Sequence, residues 1–371
     1  MSTVLITGGC GFIGRHVAAE LIREGHAVRL YDAMIEQVHG EAGADPVADV
    51  PPEAAVIRGD MRDQPKLAEA LRGCDAVIHL AAEVGVGQSM YEIVRYVGAN
   101  DVGTAVLLEA IAAHPVQRLV VASSMSIYGE GYYVLPSGEL FDGARRRQVN
   151  LHEGLWEPRG PGGEALAAVA TDETKRPDLA SIYALTKFQQ EQAALIFGAA
   201  YEVPTVALRL FNVFGAGQAL SNPYTGVLAN FAARLANGER PTIFEDGQQK
   251  RDFVHVHDVA RAFRLALESE VAGEVFNIGS GNAYSIEEIA SLLAEAMERP
   301  DLQPEILGRF RAGDIRNCFA DIGRAREMLG FAPEFRLEES LGPFVDWVRQ
   351  SPAMDRGGQM RNELEVRGLV S

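Results

Sequence analysis

Thr3-Val4-Leu5-Ile6-Thr7-Gly8-Gly9-Cys10-Gly11-Phe12-Ile13-Gly14 decides the fold of this chain. A β-branched run leads into glycines at 8, 11 and 14, and an amphipathic stretch follows from Arg15 to Glu24. Strand, glycine turn and helix in that order form the phosphate-binding βα unit of a doubly wound sheet. Gly8 permits the tight turn, Gly11 lets a pyrophosphate approach the backbone, and Gly14 lets the helix pack on its strand. The helix N-terminus offers free N–H groups and the positive end of its dipole to the phosphates. For the glycines alone, a ligand-free turn is the competing reading, and two further features answer it. Ala27-Val28-Arg29-Leu30-Tyr31 reads as a second strand ending at Asp32, where a carboxylate accepts hydrogen bonds from an adenosine ribose. Asp32 also repels a 2′-phosphate, and Ala33 rather than Arg follows it, so NAD is favoured over NADP. A third run, Ala54 to Arg58, leads into Gly59-Asp60-Met61-Arg62-Asp63, which suits a contact to the adenine edge. For Asp60 by itself, a helix N-cap competes with that role.

Bulk properties narrow the class. The 371 residues allow two domains, and a 47% hydrophobic content supplies ample core. With 34 Lys and Arg against 51 Asp and Glu, the net charge of −17 argues against nucleic-acid backbones and anionic membranes. It leaves room for a small phosphorylated ligand, because a few arginines in a cleft outweigh distant surface carboxylates. Cys10, Cys74 and Cys318 are scattered, which suits a reducing cytoplasm and neither a disulfide framework nor a zinc site. No basic segment precedes an apolar run at the N-terminus, and no stretch approaches 18 apolar residues, so the chain reads as soluble and untargeted.

Strand-like and helix-like runs alternate through the first half. Ala76 to Leu80, Arg118 to Ala122 and Thr205 to Leu210 are continuous apolar runs, as parallel strands buried on both faces require. Helical patterns separate them at Lys66 to Leu71, Met90 to Ala113 and Ser181 to Phe197, and the stretches Gly103 to Ala113 and Leu185 to Phe197 carry apolar faces broad enough for a partner subunit. The expected fold is α/β: a Rossmann-type doubly wound parallel sheet with a smaller α+β substrate-binding domain. Residues 1–212 form the NAD-binding domain, 213–350 the substrate-binding domain, and 351–371 a peripheral tail. Residues 242–267 are expected to return to the first domain. Residues 129–179 are rich in Gly, Pro and charge, and read as an insertion over the cleft or the surface, with plain disorder as the competing reading.

Tyr183 and Lys187 stand four apart at the start of a helix, which puts them on one face. An ammonium beside a phenol favours phenolate, so Tyr183 is expected to titrate towards neutrality and serve as a general base. A bare YxxxK is also what a solvated amphipathic helix shows; here it follows the fifth strand of a dinucleotide fold. Ser124 ends that strand at the carboxyl edge, where ligands bind, although a strand-end cap is its plainer role. His255 and His257 lack a nearby cysteine or acid cluster, so no metal is expected.

Together these motifs resemble the extended short-chain dehydrogenase/reductase family. The resemblance is carried by the N-terminal glycine turn, Asp60, His79-Leu80-Ala81-Ala82, Asn100, Ser123 to Gly129 and Tyr183-x-x-x-Lys187. It continues through Arg209 to Gly215, Arg251 to His255, Asn277 to Gly281 and Arg311 to Asp314, nearly the whole chain. That family consists largely of nucleotide-sugar epimerases, dehydratases and decarboxylases with tightly held NAD. The resemblance implies that Ser124, Tyr183 and Lys187 are catalytic. It implies a cofactor site of Gly8, Gly11, Phe12, Ile13, Gly14, Asp32, Asp60, Met61, Leu80, Ala81, Ala82, Asn100, Ser123, Tyr183 and Lys187. It assigns the nucleotide sugar to Ser124, Ser126, Asn212, Arg251 and Arg311, and it implies a homodimer. A diphosphate wants planar bidentate donors, though each arginine alone equally suits a surface ion pair.

The 4,6-dehydratases of the family carry Asp-Glu directly after the residue matching Ser124; Met125 and Ser126 stand there in this chain, which argues against dehydration. Ser123 to Gly131, Lys175 to Lys187, Gln218 to Gly226 and the insertion with its Trp156-Glu157-Pro158 element are similar to the bacterial dTDP-L-rhamnose 4-epimerase group. The expected activity is therefore inversion at C4 of a dTDP- or UDP-linked hexose through a 4-keto intermediate. The rivals are a UDP-sugar 4-epimerase, a UDP-glucuronate decarboxylase, a net sugar reductase and an NAD-sensing regulator without chemistry.

Overall fold

The computed structural model describes residues 1–39, 49–220, 222, 226–311, 313–351 and 363–370. Parts of the quoted stretches 218–226 and 311–314, and most of the tail, lie outside them. The main sheet holds seven parallel strands: β1 (Thr3–Thr7), β2 (Ala27–Asp32), β3 (Ala55–Arg58), β4 (Ala76–His79), β5 (Arg118–Ser124), β6 (Thr205–Leu210) and β7 (Glu274–Ile278). Their spatial order is β3-β2-β1-β4-β5-β6-β7. The order reverses between β1 and β4, and at such a switch point a crevice opens at the carboxyl ends of the strands.

The longer helices are α1 (Phe12–Arg23), α2 (Gln64–Leu71), α3 (Gly103–Ala113), α4 (Ile182–Tyr201), α5 (Val227–Ala236), α6 (Val256–Glu268), α7 (Ile286–Ala296) and α8 (Leu337–Gln350). Alternate strand residues point to opposite faces and so feed two cores. Val4 and Ile6 pack with Val17 and Leu21 of α1 and Val259 and Phe263 of α6. Leu5 and Val77 pack with Leu67 of α2, Leu107 and Ile111 of α3, and Phe197 of α4. β4, β5 and β6 are buried along their whole length, which is why their sequence shows no polar alternation.

A second core lies beyond the sheet edge, where Phe231 and Leu235 of α5, Ile289 and Leu293 of α7 and Leu341 and Phe344 of α8 meet. Ser285 starts α7 with a capping box: its hydroxyl accepts the Glu288 N–H at 3.1 Å, and Glu288 accepts the Ser285 N–H at 2.7 Å.

Three expectations change. The segment 242–267 returns to the main sheet in part: residues 254–267 pack there, mostly as α6, and β7 joins them, but Thr242–Ile243 pairs with Glu305–Ile306. The helix read from Met90 to Ala113 starts at Ile93 and runs unbroken into α3, with a π-helical widening at Val97–Val102. The described end of the tail, residues 363–370, is not peripheral, because Leu364 and Val370 are buried and Val370 bridges to Arg311. The insertion forms a three-stranded antiparallel patch from Tyr133–Val134, Leu140–Phe141 and Ala167–Ala168. Among the described residues, no helix is long and apolar enough to cross a membrane.

Candidate active site

The glycine turn lies against the end of β4. Gly8 has φ +68°, and a Cβ there would stand 2.8 Å from the Ala81 nitrogen. A Cβ on Gly14 would stand 2.5 Å from the Gly8 carbonyl oxygen, so neither position admits a side chain. Gly11 caps α1 without a side chain, which leaves the first N–H groups of that helix, at Phe12 and Ile13, for an anion. Asp32 accepts the Cys10 N–H at 3.0 Å and the Met34 N–H at 2.8 Å, with His39 at 3.4 Å. Burial pushes the Asp32 pKa up, but these hydrogen bonds outweigh it and hold the carboxyl below its ordinary value. The result is a tight backbone cradle followed by an ionised acid, a set that fits the pyrophosphate and ribose of NAD.

Asp60 does not cap α2; Asp63 does, accepting the Lys66 N–H at 3.2 Å. The Asp60 carboxylate instead holds the Arg62 guanidinium at 2.8 Å. Met61 is buried beneath Gly103, where a Cβ would stand 2.8 Å from its own. Leu80, Ala81 and Ala82 are half-buried beside the Gly8 turn. Two expected cofactor residues turn elsewhere. Asn100 is fully buried, and its amide accepts the Glu83 N–H at 2.7 Å while donating to the Glu83 carbonyl at 3.1 Å and to Thr186 at 2.9 Å. It braces the loop after β4 against α4. Ser123 donates to Glu191 at 2.6 Å, on the sheet face opposite to that of its neighbour Ser124.

Ser124 takes the plainer of its two candidate roles, the cap at the strand end. It caps the turn Met125–Tyr128, accepting the Ser126 N–H at 3.2 Å and the Ser126 hydroxyl at 2.9 Å. The Tyr183 phenol lies near enough for Ser124 to ease its pKa down. Ser181 starts α4, accepting the Ala184 N–H at 3.1 Å, so Tyr183 falls in the first turn. The Tyr183 N–H donates to Ser89 at 3.0 Å, and its ring meets Tyr96 edge-on at 6.5 Å.

The expected depression of the Tyr183 pKa is not found in the chain by itself. Burial raises it, against the opposing effect of Ser124. Lys187 is pulled down to about 7 by burial, opposed by Glu191. The lysine nitrogen donates to the Ala122 carbonyl at 2.7 Å and to Gln190 at 2.6 Å, and burial governs both its pKa and that of the phenol. Gln190 extends the arrangement, donating to Thr104 at 2.8 Å and to the Ala81 carbonyl at 3.2 Å. His79 lies between Thr7 at 2.7 Å and Thr104 at 2.8 Å and is held neutral by burial. Sequence reading missed Gln190, although its place three residues after Lys187 on α4 put it on the same face.

A cavity of about 310 Å³ opens beside this site. Ser126, Asn212, Arg251 and Arg311 all line it. The buried Asn212 Oδ1 lacks a hydrogen-bond partner. Arg251 and Arg311 share one carboxylate, Asp314, at 3.4 and 2.8 Å. Burial would raise the Asp314 pKa, but Arg311, Arg251 and Arg146 bring it down to about 2. Two guanidiniums on one carboxylate leave positive charge in the wall, as a diphosphate requires. Arg311 also lies 4.7 Å over the Phe244 ring. His255 and His257 stand 5.0 Å apart, packed with His16 and Phe335. No cluster of metal-ligating side chains occurs among the described residues.

A parallel Rossmann sheet, a phosphate cradle at its switch point and a Ser-Tyr-Lys set at the carboxyl edge define a nucleotide-dependent α/β enzyme. The chain belongs to the NAD dependent epimerase/dehydratase family, whose sequence model matches residues 4–148 and 159–279, and NAD is its cofactor. It is 36% identical over 354 residues to a dTDP-L-rhamnose 4-epimerase of Burkholderia thailandensis, covering 94% of this chain and 95% of that one. Its fold matches the UDP-glucose 4-epimerase of Thermotoga maritima solved with UDP-glucose, at TM-score 0.76 and 30% identity over 94% of this chain and 99% of that one. It likewise matches the UDP-glucose 4-epimerase of Thermus thermophilus in complex with NAD, at TM-score 0.74 and 29% identity with the same coverage.

Proposed function

We propose that this chain is an NAD-dependent nucleotide-sugar 4-epimerase whose substrate is dTDP-L-rhamnose. One observation carries the reading: Ser126, whose hydroxyl donates to Ser124 at 2.9 Å, lines the same cavity as Arg251 and Arg311. A diphosphate on the arginines brings its hexose to the phenol. Tyr183 takes the proton from the C4 hydroxyl, and Ser124 hydrogen-bonds the oxygen as its charge changes. Bound NAD supplies a reversible hydride acceptor and a positive charge in the cleft. The ketose turns about its diphosphate link, and Tyr183 returns its proton to the inverted C4 oxygen. Gln190 and the Ala122 carbonyl fix the Lys187 ammonium one helical turn from Tyr183.

Met125 and Ser126 place no acid after Ser124, so dehydration lacks its proton donor. A decarboxylase needs a cation for the sugar carboxylate, and the basic groups lining the cavity, Arg251 and Arg311, serve the diphosphate in this reading. The dTDP-L-rhamnose choice draws on the Burkholderia relative, with a UDP-linked hexose as the alternative from the structural neighbours. The same reading makes the protein a homodimer of the cytoplasm, in keeping with free thiols at Cys10, Cys74 and Cys318.

The test is a panel of dTDP- and UDP-sugars with C4 configuration followed by NMR. Inversion of dTDP-L-rhamnose with UDP-glucose untouched is the expected result, and the reverse preference would overturn the substrate. In Tyr183→Phe, turnover should fall by about 10²–10⁴-fold while calorimetric binding of the nucleotide sugar persists. Near-normal turnover in that variant would place the base elsewhere.

A further inference from the structure

The C-terminal residues 363–370 run along the substrate cavity, and their polar and apolar groups divide its work. Glu363 accepts the Tyr91 hydroxyl at 2.9 Å, the Arg367 guanidinium lies 4.1 Å over the Tyr91 ring, and Glu365 pairs with Arg309 at 2.6 Å. Val370 bridges to Arg311, and the Leu369 N–H closes onto the Leu364 carbonyl at 2.9 Å. These contacts fasten the segment on both sides of the cavity, and Leu364 and Leu369 line it.

The position of Leu364 relates it to the sugar rather than to the nucleotide. It packs on Gly87, where a Cβ would meet its Cδ2 at 3.2 Å. Gly87 lies two residues before Ser89, the residue that takes the Tyr183 N–H. From residues 85–90 and 363–370 the cavity receives only Gly85, Val86, Gly87, Met90, Leu364 and Leu369. Neither segment offers a hydrogen-bonding side chain there. A methyl group gains from such a wall. A hydroxymethyl loses its water without a partner, and a carboxylate loses far more.

We propose that the C-terminal segment forms the specificity wall of this pocket, with Leu364 on Gly87 packing against C6 of a 6-deoxyhexose and rejecting hexoses oxygenated at C6. This rests on the epimerase reading above and supplies its substrate class. The wall closes only when residues 363–370 dock, so a chain that ends before them would keep its fold's catalytic set and lose its sugar preference.

The experiment compares kcat/KM for dTDP-L-rhamnose and its 6-hydroxy counterpart, dTDP-L-mannose, in the full-length protein, Leu364→Asn and Gly87→Ala. Leu364→Asn should lower kcat/KM for the 6-deoxy sugar by about tenfold, chiefly through KM, and spare the 6-hydroxy sugar. Calorimetric binding of dTDP alone should not change, which separates loss of the wall from loss of fold. Gly87→Ala presses on Leu364 from behind and narrows the cavity, so the preference for the 6-deoxy sugar should widen. If the wild type prefers the 6-deoxy sugar and neither variant moves the ratio, the wall is refuted and the epimerase reading stands. If Leu364→Asn does not fold, the Gly87→Ala ratio decides alone. If the wild type inverts neither sugar but inverts a UDP-hexose, the substrate assignment fails and takes the wall with it while the epimerase reading stands; if it inverts no nucleotide sugar, both fail.

Discussion

Lys187 is buried, with its nitrogen on the Ala122 carbonyl and Gln190, and its pKa is pulled down to about 7. The folded value lies below the ordinary 10.5, so between the two the unfolded chain binds more protons. Stability therefore rises with pH across roughly 7 to 10, and the cost of burying the ammonium is fully present below that window. Lys187→Met should remove this slope, which urea melts at pH 6, 8 and 10 will read. Its catalytic consequence has the opposite look. Burial raises the phenol even with Lys187 in place, so removing the cation should raise it further and bring the base form in only at still higher pH. Turnover of Lys187→Met should fall by about 10²–10⁴-fold at pH 7 and recover in part towards pH 10. An unchanged pH profile would show that Lys187 does not tune the phenol. Tyr183 and Lys187 were legible because a spacing of four on a helix fixes their relation. The side-chain partners of Ser123 and Asn100 were not legible, because a family position does not say which way a side chain turns. Ser123 faces Glu191, and Asn100 is taken up by Glu83 and Thr186.

The insertion after β5 is held by an ion network that joins it to the substrate-binding half. Arg316 is buried and pairs with Glu157 at 2.6 Å, Glu245 at 3.1 Å and Asp246 at 2.6 Å. Arg146 adds Glu130 at 3.1 Å and Glu245, and donates to the Asp314 carbonyl. Glu245 is wholly buried, and burial pushes its pKa up against these arginines. Arg316→Met leaves that carboxylate with one partner and should cost about 3–5 kcal/mol in denaturant unfolding. Adding Glu245→Gln should restore part of the loss, because the uncompensated charge is the larger share of it. Additive losses would show that the pair acts independently. Nothing local marks these partners: Glu130, Arg146, Glu157, Glu245 and Arg316 are remote in sequence and adopt their register only through the fold. The main strands, in contrast, were legible as unbroken apolar runs. Two-residue pairings such as Thr242–Ile243 with Glu305–Ile306 carry too little periodicity to be read, so the start of the returning segment was placed too early.

At the scale of the whole molecule, the distribution of charge sets α4 apart. The chain carries −17, yet the outer face of α4 runs Leu185, Gln189, Gln192 and Ile196 without a charge. Leu185, Ile196 and Tyr201 are among its exposed large apolar residues, and Val102 lies exposed at the head of the adjacent α3. A stripe of this kind on an otherwise acidic surface suits a second copy, with α3 and α4 of each chain forming a four-helix contact about a two-fold axis. The inner face of the same α4 carries Tyr183 and Lys187, so the helix that positions the base is also the helix that would be buried between subunits. Light scattering should give the mass of two chains for the wild type. Leu185→Glu combined with Ile196→Glu brings like charges together across the axis and should yield the mass of one chain. The melting temperature of that monomer should become independent of protein concentration, whereas that of the wild type should rise with it. A wild type that scatters as one chain at every concentration, or a double variant that stays paired, would remove α4 from the interface and leave its apolar stripe without a partner.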